Sequence, residues 1–376
     1  MVAGETSGDV LAARMLSALR PALPDARLEG IGGPNMAEYG FQSEQSLETM
    51  TVRGLFEIIP RYAALKRIQR GLRDRYLAEP PTVFVGVDYP GFNLGLEEQL
   101  RAGGIPTMHF IGPQIWAWRG WRIKKIIRAV SHMLVIFPFE EEIYRQAGVA
   151  ATYVGHPLAE VIPMQADTAA ARTQLGLPQY GPVVAVLPGS RMSELKYNSA
   201  AFIGAAAILA KRDPNLRFVA PMTGPRQRQH FTDALAAAGQ QDLPIAIVDG
   251  QSHAAMAAAD AVLVASGTAS LEVALFKKPM VIAYKMLAAS YHIMRYMAYQ
   301  PWIGLPNILA RESLVPELIQ HAATPQALAD ALWRQMHDAS HKEKLVQRFT
   351  DMHHSLLRNT AQESAQAVLN MVESRQ

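Results

Sequence analysis

The sequence predicts two doubly wound α/β domains in tandem, each a parallel sheet with helices on both faces. Three observations carry that expectation. The chain has 376 residues, more than one ordinary domain holds and enough for two of roughly 200 or fewer. Short apolar runs alternate with longer helical stretches, the pattern of buried parallel strands and their crossover helices. The alternation also runs through twice, with a polar, helix-prone connector between the two series.

In the first series strands are expected at 1–3, 28–31, 83–87, 107–111, 133–136 and 152–154, with helices at 9–19, 55–76 and 94–102. The second series places strands at 183–187, 218–220, 245–248, 261–264 and 280–283, with helices at 198–211, 227–238 and 269–276. The boundary is expected between Gly155-His156-Pro157 and Gly181-Pro182, giving domains of 1–160 and 161–340. No strand follows Thr324, so a helical tail, taken as 341–376, is expected to pack back on the first domain. Ligands of such sheets bind beyond the carboxyl ends of the strands, so a central cleft faced by both domains is the expected site. The first strand is short for a buried parallel one, which suggests a natural chain that begins further upstream.

Composition narrows the function classes. Apolar residues make up 49% of the chain, which permits large cores and argues against disorder. The net charge of +3 suits anionic lipid or phosphate and is too small to indicate nucleic acid. Cysteine is absent, which removes disulfides, thiolate metal ligands and a cysteine nucleophile, and suits a reducing compartment. No apolar run approaches the ~18–20 residues of a spanning helix. Glu5 and Asp9 interrupt what would be the core of a signal peptide, so a cytoplasmic location is expected. With no Asp-x-Asp and no histidine pair at ligand spacing, no metal or other cofactor is expected.

Three loops follow strands and open helices, the arrangement that offers free amides to an anion. In Gly4-Glu5-Thr6-Ser7-Gly8-Asp9 the glycines permit tight turns, but the spacing is neither a dinucleotide fingerprint nor a P-loop. Either this loop contacts substrate through Gly4, Glu5, Ser7 and Gly8, or Ser7 or Asp9 merely caps a helix. Leu187-Pro188-Gly189-Ser190-Arg191 places a guanidinium, able to grip phosphate in bidentate fashion, at the end of a strand. Ser266-Gly267-Thr268-Ala269 opens a helix, with Glu272 one turn further on and suited to ribose hydroxyls. Two anion-suited loops and a carboxylate in one domain point to a nucleoside diphosphate.

These motifs, together with Gly86-Val87-Asp88-Tyr89-Pro90-Gly91-Phe92-Asn93, Trp116-Ala117-Trp118-Arg119, Gly155-His156-Pro157 and Leu305-Pro306-Asn307, resemble the lipid-A-disaccharide synthases in order and over nearly the whole chain. The pattern departs at Gln114-Ile115, where a serine is expected two residues before the first tryptophan. The resemblance implies a GT-B fold, two Rossmann-like domains around a cleft. It implies an inverting transfer of 2,3-diacylglucosamine from UDP to the 6-hydroxyl of 2,3-diacylglucosamine 1-phosphate, which makes a β(1→6) disaccharide and UDP. It further implies Asp88 as base, with Arg191, Glu272 and Asn307 on the nucleotide side. The rivals are a UDP-sugar 2-epimerase, another transferase of that fold, and a nucleotide-sugar-binding module without turnover.

Asp88 ends an apolar strand, where desolvation is expected to raise its pKa and strengthen it as a base; capping the Pro90-Gly91 turn is the alternative. Leaving-group charge would be met by Arg191 and the amides of Gly267 and Thr268, without metal. His156 is expected to be structural, between the domains. Acylated substrates require a protein that reaches the anionic cytoplasmic face of a Gram-negative inner membrane without spanning it. The best candidate surface has Leu55, Phe56, Ile58, Ile59, Tyr62 and Leu65 at helical spacing, with Arg61, Lys66, Arg67, Arg70 and Arg73 beside them. The same stripe also suits packing on the protein's own sheet. Trp116, Trp118 and Trp121 among Arg119, Arg122, Lys124 and Lys125 suit an acceptor phosphate or simple packing. A homodimer that exchanges the helical tail is a further expectation.

Overall fold

A computed structural model describes residues 1–50, 58–117, 120–297 and 299–374. The chain divides into two compact units, Met1–Glu160 with Ser355–Gln376, and Val161–His354. The tail divides too. Residues 341–354, expected with the first domain, belong to the second unit, and the return begins at Ser355. The polar connector also belongs to the second unit. Buried Arg172 anchors it there by donating to Ala258 O, Gln179 O and Gly181 O and pairing with Asp260 at 2.9 Å.

The first unit holds a parallel seven-stranded sheet ordered β3-β2-β1-β4-β5-β6-β7. Its strands are β1 (Val2–Ala3), β2 (Glu29–Ile31), β3 (Gln42–Gln45), β4 (Phe84–Val87), β5 (Thr107–Phe110), β6 (His132–Val135) and β7 (Ala150–Tyr153). β3 was not expected. Its four residues are all polar and exposed, because an edge strand that faces water needs no apolar alternation. One face of the sheet packs on the helix Thr6–Leu19, whose Ala12, Met15, Leu16 and Leu19 meet Val85, Val87 and Phe110. The last helix, Thr360–Glu373, adds Ala365 and Val368 to the same core. Each buried valine, leucine, methionine or phenylalanine among them contributes about 1.5–3 kcal/mol.

The second unit holds a parallel six-stranded sheet ordered β10-β9-β8-β11-β12-β13. Its strands are β8 (Val183–Leu187), β9 (Arg217–Met222), β10 (Ile245–Asp249), β11 (Ala261–Ala265), β12 (Met280–Tyr284) and β13 (Glu317–Ile319). β8 and β11 are buried at every position, as the central strands of a two-sided sheet must be. The three-residue edge strand β13 was also missed, being too short to show a period. The helices Met192–Arg212 and Pro325–His337 close one face through Phe202, Leu209, Leu328 and Leu332.

In both sheets the order reverses beside the first strand of the unit. β1 lies between β2 and β4, and β8 between β9 and β11. The loops that leave β1 and β4, and those that leave β8 and β11, therefore flank the two topological switch points, where sheets of this kind bind their ligands.

Candidate active site

At the first switch point the loop after β1 meets the loop after β4. A Cβ at Gly4 would lie 2.4 Å from the Tyr89 ring, so Gly4 is needed for close approach, while one at Gly8 would sit tightly, 3.3 Å from Val87 O. Glu5, Thr6 and Ser7 are exposed between them, and among the described residues no side-chain cap bond is made at the start of the helix they open. Neither Ser7 nor Asp9 is that cap. Asp9 is wholly buried and accepts from Gly33 N, Asn35 N, Asn35 Nδ2 and Met36 N at 2.7–3.2 Å, fastening β2's following turn to the first helix.

Asp88 and Tyr89 both adopt the left-handed conformation, with φ of 52° and 48°. Such backbone is costly for residues other than glycine and persists only where neighbours impose it. Here Asn93 imposes it, its Nδ2 donating to Val2 O, Val87 O and Asp88 O while Asp88 N donates to Phe110 O. Asn93 thus holds the turn. Asp88 itself is half-buried, so the full desolvation expected of it is not present. Beneath the turn, wholly buried Glu97 pairs with His109 at 2.7 Å, and burial pushes the Glu97 carboxyl up. This pair explains Gly86, where a Cβ would lie 2.1 Å from Glu97 Oε1. Beyond β2 and β3, Gly32, Gly33, Pro34, Ser43, Glu44 and Leu47 line an opening of about 480 Å³. Another, of about 290 Å³ beneath the last helix, is lined by His132, Thr152 and Asn370 and shares no residue with these loops.

At the second switch point Gly189 has a φ of 132°, and a Cβ there would strike Glu194 at 2.4 Å. Glu194 Oε2 accepts from Ser190 N and Arg191 N, which shapes the turn, and Ser190 O accepts from Thr223 and Gln227. The Arg191 side chain is 79% exposed and pairs with Glu194 at 3.3 Å. A guanidinium left in water at a strand end is ready to take up an anion. Buried Asn198, which sequence reasoning missed, joins the ends of β8 and β12 by donating to Pro188 O and accepting from Lys285 N.

The loop after β11 gives Gly267 a φ of 143° as the N-cap of Thr268–Leu275 with no side-chain cap, so its first amides keep their donors for a ligand. Glu272 is paired with His253 Nε2 at 2.9 Å, a partner 19 residues away that no motif revealed. Asn307 departs from the expectation of direct nucleotide contact. It is wholly buried, its amide donating to Val315 O and Glu317 Oε1 and accepting from Val315 N. Glu317 in turn accepts from Ile303 N and Gly304 N, and Ser266 Oγ donates to Ile303 O. Asn307 therefore stands behind Ser266 in a network that fixes the loop.

Of the apolar stripe proposed for a membrane, Leu55 and Phe56 lie outside the described residues. Ile58 and Ile59 begin the helix Ile58–Ala78, and only their backbone is described. Tyr62 is 63% exposed, with Lys66 over its ring, whereas Leu65 packs against the core of Leu72, Phe84 and Phe92. The stripe is thus partly core. Trp118 and Arg119 are likewise outside the described residues. Trp116 is buried, donates to Glu140 at 3.0 Å and packs edge-on against Phe137 and Phe139, which leaves it a packing residue.

His156 joins that cluster against Phe137, its backbone donating to Leu356 O. Burial pulls its imidazole from 6.5 down to about 4, so the folded protein keeps it neutral where the unfolded chain would protonate it. Its contribution, about 3 kcal/mol, is complete above pH 6.5 and is lost as pH falls through about 4. Nearby Glu140 is pushed up to about 7 by burial and acts with the opposite sign, favouring the fold at lower pH. His156→Asn is expected to flatten the acid limb of stability, measured by urea unfolding across that range.

Two parallel sheets in separate units, each with its motif loops at the switch point, define a GT-B-type protein. Solved structures share the fold. The UDP-N-acetylglucosamine 2-epimerase of Neisseria meningitidis superimposes with a TM-score of 0.62 over 98% of each chain at 11% identity. The calicheamicin glycosyltransferase does so at 0.59 over 99% of this chain and 97% of its own, at 14% identity. The particular family comes from sequence. The model of the lipid-A-disaccharide synthetase family matches residues 1–371. The lipid-A-disaccharide synthases of Paraburkholderia phymatum and Azoarcus sp. are each 51% identical, over all of this chain and 96% of theirs. The chain belongs to the lipid-A-disaccharide synthase family and is a glycosyltransferase. The epimerase alternative is displaced.

Proposed function

We propose that the enzyme transfers 2,3-diacylglucosamine from UDP to the 6-hydroxyl of 2,3-diacylglucosamine 1-phosphate, with inversion. Asp88 takes the proton of the acceptor hydroxyl as the new C1–O6 bond forms. The bond from C1 to the UDP oxygen breaks, and UDP leaves with its electron pair. Arg191 and the amides at Gly267 and Thr268 meet the charge on the diphosphate, the kind of preorganised electrostatics that dominates many enzymes. Glu272, steadied by His253, accepts from the ribose hydroxyls. Asn307 acts at one remove, holding the Ser266 loop in place. The Gly4–Gly8 loop and the opening beyond β2 and β3 serve the acceptor. The single observation that carries this reading is the exposed Arg191 guanidinium beside an uncapped helix start at one switch point.

Fixed cationic and amide donors already neutralise the leaving group, so no divalent metal is needed. The enzyme works at the anionic cytoplasmic face of the inner membrane, where its acylated substrates reside. Incubating purified protein with UDP-2,3-diacylglucosamine and the monosaccharide 1-phosphate, and scoring disaccharide, tests the assignment. Product is expected at an unchanged rate in EDTA. No product with both substrates would overturn the assignment, and loss on chelation would overturn the metal-free mechanism.

A further inference from the structure

Beneath the Asp88 turn lies a buried pair that the transfer steps do not use. Glu97 and His109 are both wholly buried, and Glu97 Oε1 lies 2.7 Å from His109 Nδ1. A carboxylate and an imidazole this deep gain little over apolar side chains that fill the same space. Among the described residues Glu97 Oε2 and His109 Nε2 find no hydrogen-bond partner. Stability alone does not account for such a pair.

Its place in the fold does. Only Tyr89 separates Asp88 from the helix Pro90–Ala102, so any shift of that helix on the sheet moves the turn that carries the carboxylate. Two buried side chains on one face of the helix, Asn93 and Glu97, reach the sheet from positions four residues apart. Asn93 ties the first turn to β1 and β4, through Val2 O and Val87 O. Glu97 ties the next turn to β5 through His109, which stands beside Gly86 in the register of β4 and β5. Gly86 leaves room for both, since a Cβ there would meet Glu97 Oε1 at 2.1 Å and Asn93 Cβ at 3.0 Å. Asp88 N joins the turn to the same strand β5 by donating to Phe110 O, next to His109. One tie fixes a single point on a helix. Two ties a turn apart also fix its rotation and its tilt.

We infer that Glu97 and His109 are positioning residues for the base: their pairing fastens the helix Pro90–Ala102 to β5 and so sets where the Asp88 carboxylate stands. The inference rests on the reading of Asp88 as the base. Both residues are sealed from solvent, so they act through the turn and not on substrate. Their loss should therefore fall on turnover and spare binding.

Disaccharide formation by three variants tests this. Glu97→Gln keeps the length of the side chain and a hydrogen bond to His109, so kcat is expected within about fivefold of the parent, the cost of one weakened bond. Glu97→Ala removes the tie, as does Glu97→Leu combined with His109→Leu, which keeps the space filled. Each is expected to lower kcat by ~10–10²-fold, the effect of a slightly misplaced group, with UDP affinity within about twofold of the parent. The double variant should melt no earlier than the parent, since apolar pairs of like size match buried ion pairs. Made in Asp88→Asn, the same changes should slow transfer no further, because groups that act as a unit are not additive. An equal loss in the Asp88→Asn background would overturn the inference and make the pair a general structural element. Parental kcat in either variant that lacks the tie would overturn it too. So would failure of both to fold, which would make stability the role of the pair. Parental turnover by Asp88→Asn alone would instead remove the base, and the inference with it.

Discussion

Asparagine in place of Asp88 is expected to slow disaccharide formation by ~10²–10⁴-fold, the range that a positioned base contributes. The amide keeps the shape of the carboxylate but cannot hold a proton in transit. The left-handed turn should survive, because Asn93 secures it through backbone carbonyls rather than through the Asp88 side chain. Titration calorimetry with UDP should therefore give a dissociation constant within about twofold of the parent, since the lost interaction belongs to the transition state. Weakened UDP binding together with unchanged turnover would reverse the assigned roles.

Arg191→Ala carries the second large effect. Its guanidinium is exposed and pairs with Glu194 at 3.3 Å, so removing it costs the fold little. The loss should fall on the departing diphosphate, on the order of 10²-fold in kcat/KM, as for other single electrostatic donors in active sites. Arg191→Lys should recover only part of this, because an ammonium cannot make the planar bidentate contact. Thermal unfolding of Arg191→Ala should match the parent within about 1 °C, as expected of an exposed side chain. Steady-state kinetics with the UDP-sugar varied separate the two outcomes. A variant that melts early and transfers normally would make Arg191 a structural residue.

The legible parts of this protein were those written in adjacent residues. β8, β11 and β12 are continuous apolar runs because both their faces are covered, and each ends in a glycine, serine or lysine turn that the chain order discloses. Local loops such as Gly189 to Arg191 are legible for the same reason. β3 was hidden because Gln42–Gln45 faces water on both sides, so no apolar alternation marks it. The supporting shell was hidden because its partners are distant in sequence. Asp9 finds Gly33 and Asn35, Asn93 finds Val2, Asn198 finds Lys285, and His253 finds Glu272. Asn307 shows the converse error. A motif led to the nucleotide, yet its amide is consumed by Val315 and Glu317, and its influence runs through the loop that holds Ser266. Sequence names the groups that do chemistry; distant contacts decide which of them are free to do it.

The central claim is that a carboxylate at position 88 removes the acceptor proton, and chemical rescue tests it most directly. Asp88→Ala, assayed for disaccharide with increasing formate, should regain part of its lost rate in proportion to formate concentration, while Arg191→Ala should gain nothing. Transfer by Asp88→Ala at the parental rate without added carboxylate would contradict the account.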